Sequence, residues 1–282
     1  MPDQEISIEK IKQITEKIQG LPTLPVLVTQ TMHLIDNPKT SISEIVKAIS
    51  VDQALTIKIL RLANSAFYGF PRKIATVKHA LVILGSMTLK DLIIATSIHD
   101  VFPETEGEGR FKRSDFWEHS FACGIASRML AKEVQYRVTG EVFVAGIIHD
   151  IGKIIIDKYF HPQFKKIIKI VEEENITIYE AEKKVLGITH VDLGRWLAQK
   201  WNLPSDLVDA IAYHHSPKLA KSNQELTTIV HLADILCRMK AIGYGGDPLV
   251  PKIDDGVWDI FKTRRTDLKE MHLEKFANNL EE

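Results

Sequence analysis

Between residues 143 and 158 the chain reads FVAGIIHDIGKIIIDK. An apolar run carries His149, Asp150 and Lys153 into what its flanks mark as protein interior. Ionisable groups are costly to bury unless something pairs with them, and a metal ion is one such partner. Further candidates lie on either side. His119 stands upstream, with Asp115 one helical turn before it on the same face. Downstream come His190, the pair His214-His215, and Asp234. Each sits in an apolar frame, as in GITHVDLGRWL, LVDAIAYHHSP and IVHLADILC. Imidazole and carboxylate together form the ligand mix of zinc, iron, manganese, cobalt or nickel. Two adjacent ions require several histidines and at least one bridging carboxylate, and the chain supplies both.

Taken singly, each residue has a plainer alternative. A second His-Asp pair, His99-Asp100, has no Gly-Lys after it and reads as a solvated helix end. His214-His215 also fits a polar helix end before Pro217, Asp234 a local pair with His231, and Asp115 the N-cap of its own helix. The order of the set, not any one member, carries the signal.

The elements that must position these residues are helical. Ile6, Ile8, Ile11, Ile14 and Ile18 follow a three/four spacing, the signature of an amphipathic helix. A second helix is predicted from Val26 to Ile35. Ser41 with Glu44 forms a capping-box signature for a third, and Asp52 caps a fourth. Two more fit 76–84 and 86–99. The segment PETEGEGRFKRS, 103–114, has almost no apolar content and is the best boundary in the chain. After it, helices are predicted near 115–135, 139–149, 162–174, 177–185, 190–201, 205–214 and 224–241. GYGGDP (243–248) ends that series, and a charged helical stretch covers roughly 255–279. No convincing strand is present. The expectation is an all-α protein with two helical bundles, divided as 1–102, a linker at 103–114, 115–248, and a tail at 249–282. Bundle interiors are where metal sites are built from facing helices.

Composition narrows the function classes. The chain has 282 residues, a formal net charge of −1 and 45% hydrophobic residues, as expected of a folded soluble protein. Its basic residues are scattered, without the footprint of a nucleic-acid binder. No apolar run reaches the roughly 18 to 20 residues of a membrane helix, and the polar N-terminus does not read as a secretory signal. Cys123 and Cys237 match no metal or redox spacing, so a reduced, cytoplasmic setting is expected.

The string His119, His149-Asp150-Ile-Gly-Lys153, His190, His214-His215, Asp234 resembles the HD superfamily of metal-dependent phosphohydrolases. By that resemblance His119, His149, Asp150 and Asp234 bind a first metal and Asp150 bridges. His190, His214 and His215 hold a second, as in the HD-GYP branch, which often carries iron and hydrolyses cyclic di-GMP. Asp115 matches an extra carboxylate ligand of three-metal members, and Lys153 a contact to a substrate phosphate, with Asp150 at the catalytic centre. The Gly-Tyr-Pro of that branch is missing after His215, where SPKLAKSNQ follows, and GYGGDP lies beyond Asp234.

The N-terminal half points elsewhere. LPTLP (21–25), RLANSAFYG (61–69) and the later HDIGK together closely resemble the HDOD domain, from about residue 15 to 217. That resemblance implies an N-terminal helical bundle packed on an HD-like bundle. It also implies a bacterial signal-transduction module that acts through protein partners. Asn64, Ser65, Phe67, Tyr68 and Gly69 either form a partner surface or a lid, or simply end a helix. Two functions follow. The first is a signalling module with one or two divalent transition ions in its HD-like bundle, iron foremost, then manganese, zinc or nickel. The second is a metal-dependent phosphohydrolase acting on a nucleotide or cyclic dinucleotide.

Overall fold

The computed structural model describes residues 14–16, 18, 20, 23–64, 70, 72–102, 111–136, 139–253, 257 and 260. Among the described residues the regular structure is entirely helical, which agrees with the all-α expectation. The first group of helices is α1 (Val26–Asp36), α2 (Ile42–Ser50), α3 (Gln53–Ala63), α4 (Val77–Leu84) and α5 (Ser86–Val101). The second is α6 (Arg113–Glu133), α7 (Thr139–Ile148), α8 (Ile151–Tyr159), α9 (His161–Glu174), α10 (Ile178–Val185), α11 (His190–Lys200), α12 (Ser205–Tyr213) and α13 (Gln224–Met239). A 3-10 turn at Pro217–Leu219 precedes α13. Most of the predicted first helix, residues 21–22 of LPTLP, the 65–69 part of RLANSAFYG, residues 103–110 and most of the tail lie outside the described residues.

Local chemistry sets the boundaries. Ser41 and Glu44 form the reciprocal capping box of α2, and the Asp52 carboxylate accepts the Leu55 N–H at the start of α3. Asn64 closes α3. Its side-chain amide donates to the carbonyls of Leu60 and Ile74 and accepts from the Ile74 N–H, at 2.7–2.8 Å. The helix α6 begins at Arg113, inside the segment 103–114.

One helix joins the two groups. Leu89 to Ile98 of α5 are all buried, because α1, α3 and α4 pack on it from one side and α7 from the other. A helix covered all round shows no amphipathic stripe. Among the described residues one continuous apolar core runs from Leu24 in the first group to Val257 beyond the second, beside a small separate cluster of Ala63, Ile74 and Ala80.

The helix α8 is one that hydrophobic periodicity does not reveal. Residues Ile151 to Ile156 are all buried, so Ile154-Ile155-Ile156 has no polar face to give it a helical period. Its presence matters because His149 and Asp150 become the two-residue break between α7 and α8. A continuous helix would point neighbouring side chains about 100° apart. The break lets both reach one interior centre.

Candidate metal centre

Five elements deliver the side chains. His119 lies inside α6, His149-Asp150 at the α7–α8 break, and His190 at the first turn of α11. His214-His215 follow α12, and Asp234 lies inside α13. His119, His149, Asp150, His190, His214 and Asp234 are all buried, and His215 is partly exposed.

The close approach of α8 and α11 explains the glycine of HDIGK. A Cβ on Gly152 would stand 1.9 Å from the His190 carbonyl oxygen. Only a residue without a side chain lets the start of α11 come near enough to set His190 beside Asp150.

The donors form two groups, each with its ligand atoms within 4.8 Å of one another. One is His119, Cys123, His149 and Asp234. The other is Asp150, His190, His214 and His215. In the first, His119 Nε2 lies 3.0 Å from Asp234 Oδ1 and 3.5 Å from Cys123 Sγ, and His149 Nε2 lies 3.8 Å from Asp234 Oδ1. In the second, Nε2 of His190 is 3.0 Å from Nε2 of His215 and 3.3 Å from Asp150 Oδ1. His214 Nε2 is 3.5 Å from the same oxygen. Tetrahedral coordination at zinc–nitrogen and zinc–sulfur bond lengths gives ligand–ligand edges of roughly 3.3 to 3.8 Å. Most of these separations are of that size. Asp150 faces both groups, because its Oδ2 lies 3.3 Å from His149 Nε2.

The imidazoles are held in one tautomer. Nδ1 of His119, His149 and His214 donates to the carbonyls of Ile242, Gly146 and Ile211, at 3.3, 2.7 and 3.0 Å. A carbonyl has no proton to give, so the proton is on Nδ1, and neutral imidazole then turns a bare Nε2 lone pair inward. His190 Nδ1 donates to Glu182 at 2.7 Å, and the same carboxylate oxygen accepts the His190 backbone N–H at 2.8 Å. Glu182 is fully buried and forms the carboxylate–histidine pair that orients metal ligands. Sequence reasoning misses it, because IYEAEKKV reads as an ordinary charged helix.

Fit to an ion follows from atoms and charges. Nε2 of His149, Nε2 of His214 and Oδ1 of Asp150 are buried and make no hydrogen bond. Buried polar atoms are rarely left so, and here three of them converge. Burial pushes His119 below its usual range and His214 down to about 4, and burial with neighbouring imidazoles holds His215 well below. These rings are therefore neutral at pH 7, as metal ligands must be. Burial opposes ionisation of Asp150, yet His149 and Lys153 hold it well below the carboxylate range. For Asp234, Arg238 together with His119 and His149 outweighs burial in the same way. Burial also opposes a charge on His149, but Asp150 and Asp234 push it up to about 10. A cation close to these two carboxylates would displace that proton.

The remaining candidates stand apart from the donors. Lys153 is buried and donates to Asp150 Oδ2 and to the Gly245 carbonyl, the latter at 2.7 Å. Asp115 is half-buried, with its carboxylate on the Ser114 hydroxyl at 2.9 Å, and belongs to neither donor group. His99 stacks against Trp117, and His231 Nδ1 donates to the His214 carbonyl at 2.7 Å.

GYGGDP, which in the sequence ends the helical series beyond Asp234, folds over the centre. The Tyr244 N–H donates to the Asp115 carbonyl at 2.9 Å. Gly243 has φ +63°, and a Cβ there would meet the His119 N at 2.3 Å, so the loop lies directly on the α6 backbone. Arg238 ties it down, with Nε on Asp234 at 2.9 Å and a terminal nitrogen on Asp247 at 3.0 Å.

With fold and centre described, the relatives can be compared. The HDOD domain family matches residues 21–217. The chain belongs to the HDOD family. An HDOD domain protein of unknown function from Geobacter sulfurreducens superposes with a TM-score of 0.82. The two are 26% identical, over 99% of this chain and 95% of that one. A proposed phosphohydrolase from Shewanella amazonensis SB2B shares the fold at a TM-score of 0.69 and 24% identity, over 98% of this chain and 99% of that one. An uncharacterized protein of Treponema pallidum (strain Nichols) is 26% identical over 227 residues. These are 80% of this chain but 44% of that protein, so this HDOD chain spans under half the length of that relative. Among the described residues no helix is long and apolar enough to cross a membrane.

Proposed function

We propose that this HDOD protein is a signal-transduction module whose second helical group holds one or two divalent transition ions and which acts by binding protein partners. The observation that carries the metal is the set of inward-turned Nε2 atoms, with Nδ1 of four histidines fixed by outward hydrogen bonds. His119, His149 and Asp234 would hold the first ion and His190, His214 and His215 the second, with Asp150, which faces both groups, shared between them. Imidazole-rich sites favour iron, zinc and nickel, and the carboxylates also admit manganese. Iron stands first by the likeness of the ligand string to HD-GYP proteins.

A binding role is supported by how the centre is covered. Lys153 is paired with Asp150 and Gly245, and the 243–247 loop lies over His119. A catalytic ion needs a position for water or substrate. Among the described residues, seven of the ten exposed large apolar side chains also lie on or beside α1–α5, with Val26 at 71% and Val51 at 74% exposure. They offer apolar contact area to a protein partner. The setting consistent with this role is the cytoplasm.

One observation favours a second reading, a phosphohydrolase. His215 is partly exposed, its ring 5.1 Å from that of Tyr179, over which Lys183 Nζ lies at 4.6 Å. A phosphate ligand could approach from that side. In that reading a bound ion would supply water activation, Asp150 would serve both positions, and Lys153, released from Asp150, would contact the phosphate. The test is phosphodiesterase and phosphomonoesterase turnover of metal-replete protein beside Asp150→Ala. The signalling reading expects no turnover that depends on Asp150. Metal-dependent turnover lost in the variant would replace it with the enzyme.

A further inference from the structure

Cys123 lies one helical turn after His119 on α6, and its place is not that of a packing residue alone. Its Sγ is 3.5 Å from His119 Nε2, and it shares the 4.8 Å group with His149 and Asp234. Cysteine is often buried as a small hydrophobe, so burial decides nothing. What decides is the company. His149 Nε2 is fully buried without a hydrogen bond, and the donor atoms of His119, Asp234 and Cys123 lie within 4.8 Å of it.

We infer that Cys123 is a ligand of the first metal position, joining His119, His149 and Asp234 beside Asp150, which faces both groups. The inference rests on the proposal that the centre holds metal, and it changes the chemistry of that proposal. The measured separations of 3.0, 3.5 and 3.8 Å include the sulfur as one edge among equals. Replacing the sulfur by a methyl group would leave three protein donors in the group beside Asp150, all of them nitrogen or oxygen, and with the sulfur the group offers four, one of them soft. On binding, the S–H bond breaks, a sulfur–metal bond forms and the proton leaves to solvent. Thiolate is a soft donor that selects zinc, iron or cobalt over magnesium, calcium or manganese. The second group, with three imidazoles and a carboxylate, has no such donor. The two positions therefore differ in softness and in access, since the partly exposed ligand, His215, belongs to the second.

The motif escapes the sequence because its spacing is H-x-x-x-C on a single helix, and the other two ligands arrive 26 and 111 residues beyond Cys123, at His149 and Asp234. Cys237 provides the control. It is buried, and it interacts with Cys123 without belonging to either donor group.

The test is cobalt reconstitution of the full chain, stripped of metal and kept reduced, followed by absorption spectroscopy. Expected is a thiolate-to-cobalt charge-transfer band in the near ultraviolet that persists in Cys237→Ser and disappears in Cys123→Ser. The visible d–d bands of the imidazole-rich position remain throughout. X-ray absorption of the zinc-loaded wild type needs no variant, and one sulfur scatterer at about 2.3 Å is expected. Cobalt bound with d–d bands but no charge-transfer band, or zinc with only nitrogen and oxygen neighbours, overturns the cysteine ligand and leaves the metal centre standing. Failure to bind either ion overturns both.

Discussion

The two helical groups bury different chemistry. In α1–α4 the buried side chains are almost all aliphatic, such as Val28, Ile45, Ile49, Leu55 and Ile59, while large apolar residues such as Val51 and Val82 stay exposed. In α6–α13 the interior holds His119, His149, Asp150, Lys153, Glu182, His190, His214 and Asp234. The helices α1–α4 are held mainly by hydrophobic burial. The second carries buried charges whose desolvation must be offset by pairing. Here Lys153 and Arg238 supply part of that pairing, and the proposed ions supply the rest. The comparison teaches that stability and function are separable here: a core defect in one group should not empty the other, and a ligand defect should not unfold the first.

The largest effect is expected at Gly152, where α8 meets α11. A Cβ 1.9 Å from a backbone carbonyl cannot be absorbed by a rotamer change, so Gly152→Ala should cost at least about 3 kcal/mol and reduce metal content. Urea denaturation with metal analysis checks it. A variant with unchanged midpoint and metal would mean that the α8–α11 contact does not build the centre.

In the first group, Ile59 is fully buried. Ile59→Ala should lower stability by about 2–5 kcal/mol while the folded protein keeps its full metal content. Loss of metal from folded Ile59→Ala would break the separation of the two groups.

Glu182→Gln sharpens it from the other side. The amide is a weaker acceptor for the His190 Nδ1–H, and outer-shell changes of this kind typically cost about 10- to 100-fold in metal affinity. Competition with a chelator should show that weakening, with helical content unchanged by circular dichroism. Unaltered affinity would reduce Glu182 to a packing role.

The smallest effect belongs to the helix that joins the groups. Burial, then Glu141, push the Asp91 carboxyl on α5 up to about 7, against Lys90 and Arg128. Because the folded value lies above the unfolded one, the contribution is fully present below about pH 4 and is lost as pH rises through 7. Asp91→Asn should therefore gain roughly 1–3 kcal/mol on the wild type between pH 5 and pH 8, by urea denaturation at both. Parallel pH profiles would contradict the assignment.

Much of this was legible in the chain. Ser41, Glu44 and Asp52 mark helix starts because a cap acts within three residues. The histidines and aspartates are visible because polar types stand out in apolar frames. Other features depend on three-dimensional proximity. Glu182 looks like its exposed neighbours Glu180 and Lys183, and only the three-dimensional structure shows it buried and bonded to His190 at the start of α11. Cys123 passes for a core residue until His149 and Asp234 arrive. GYGGDP, read as a helix stop, is also the cover of the centre, tied there by Arg238 and Lys153 through contacts no local pattern encodes. The helix α8 is hidden because complete burial removes its polar face.

The central claim is that these side chains converge on metal. Full-length protein purified without chelator, analysed for transition metals beside Asp150→Ala, tests it most directly. The account expects one or more ions per chain in the wild type and fewer in the variant. Wild-type protein that is metal-free, takes up none when offered iron, zinc or manganese, and keeps an intact fold would contradict it.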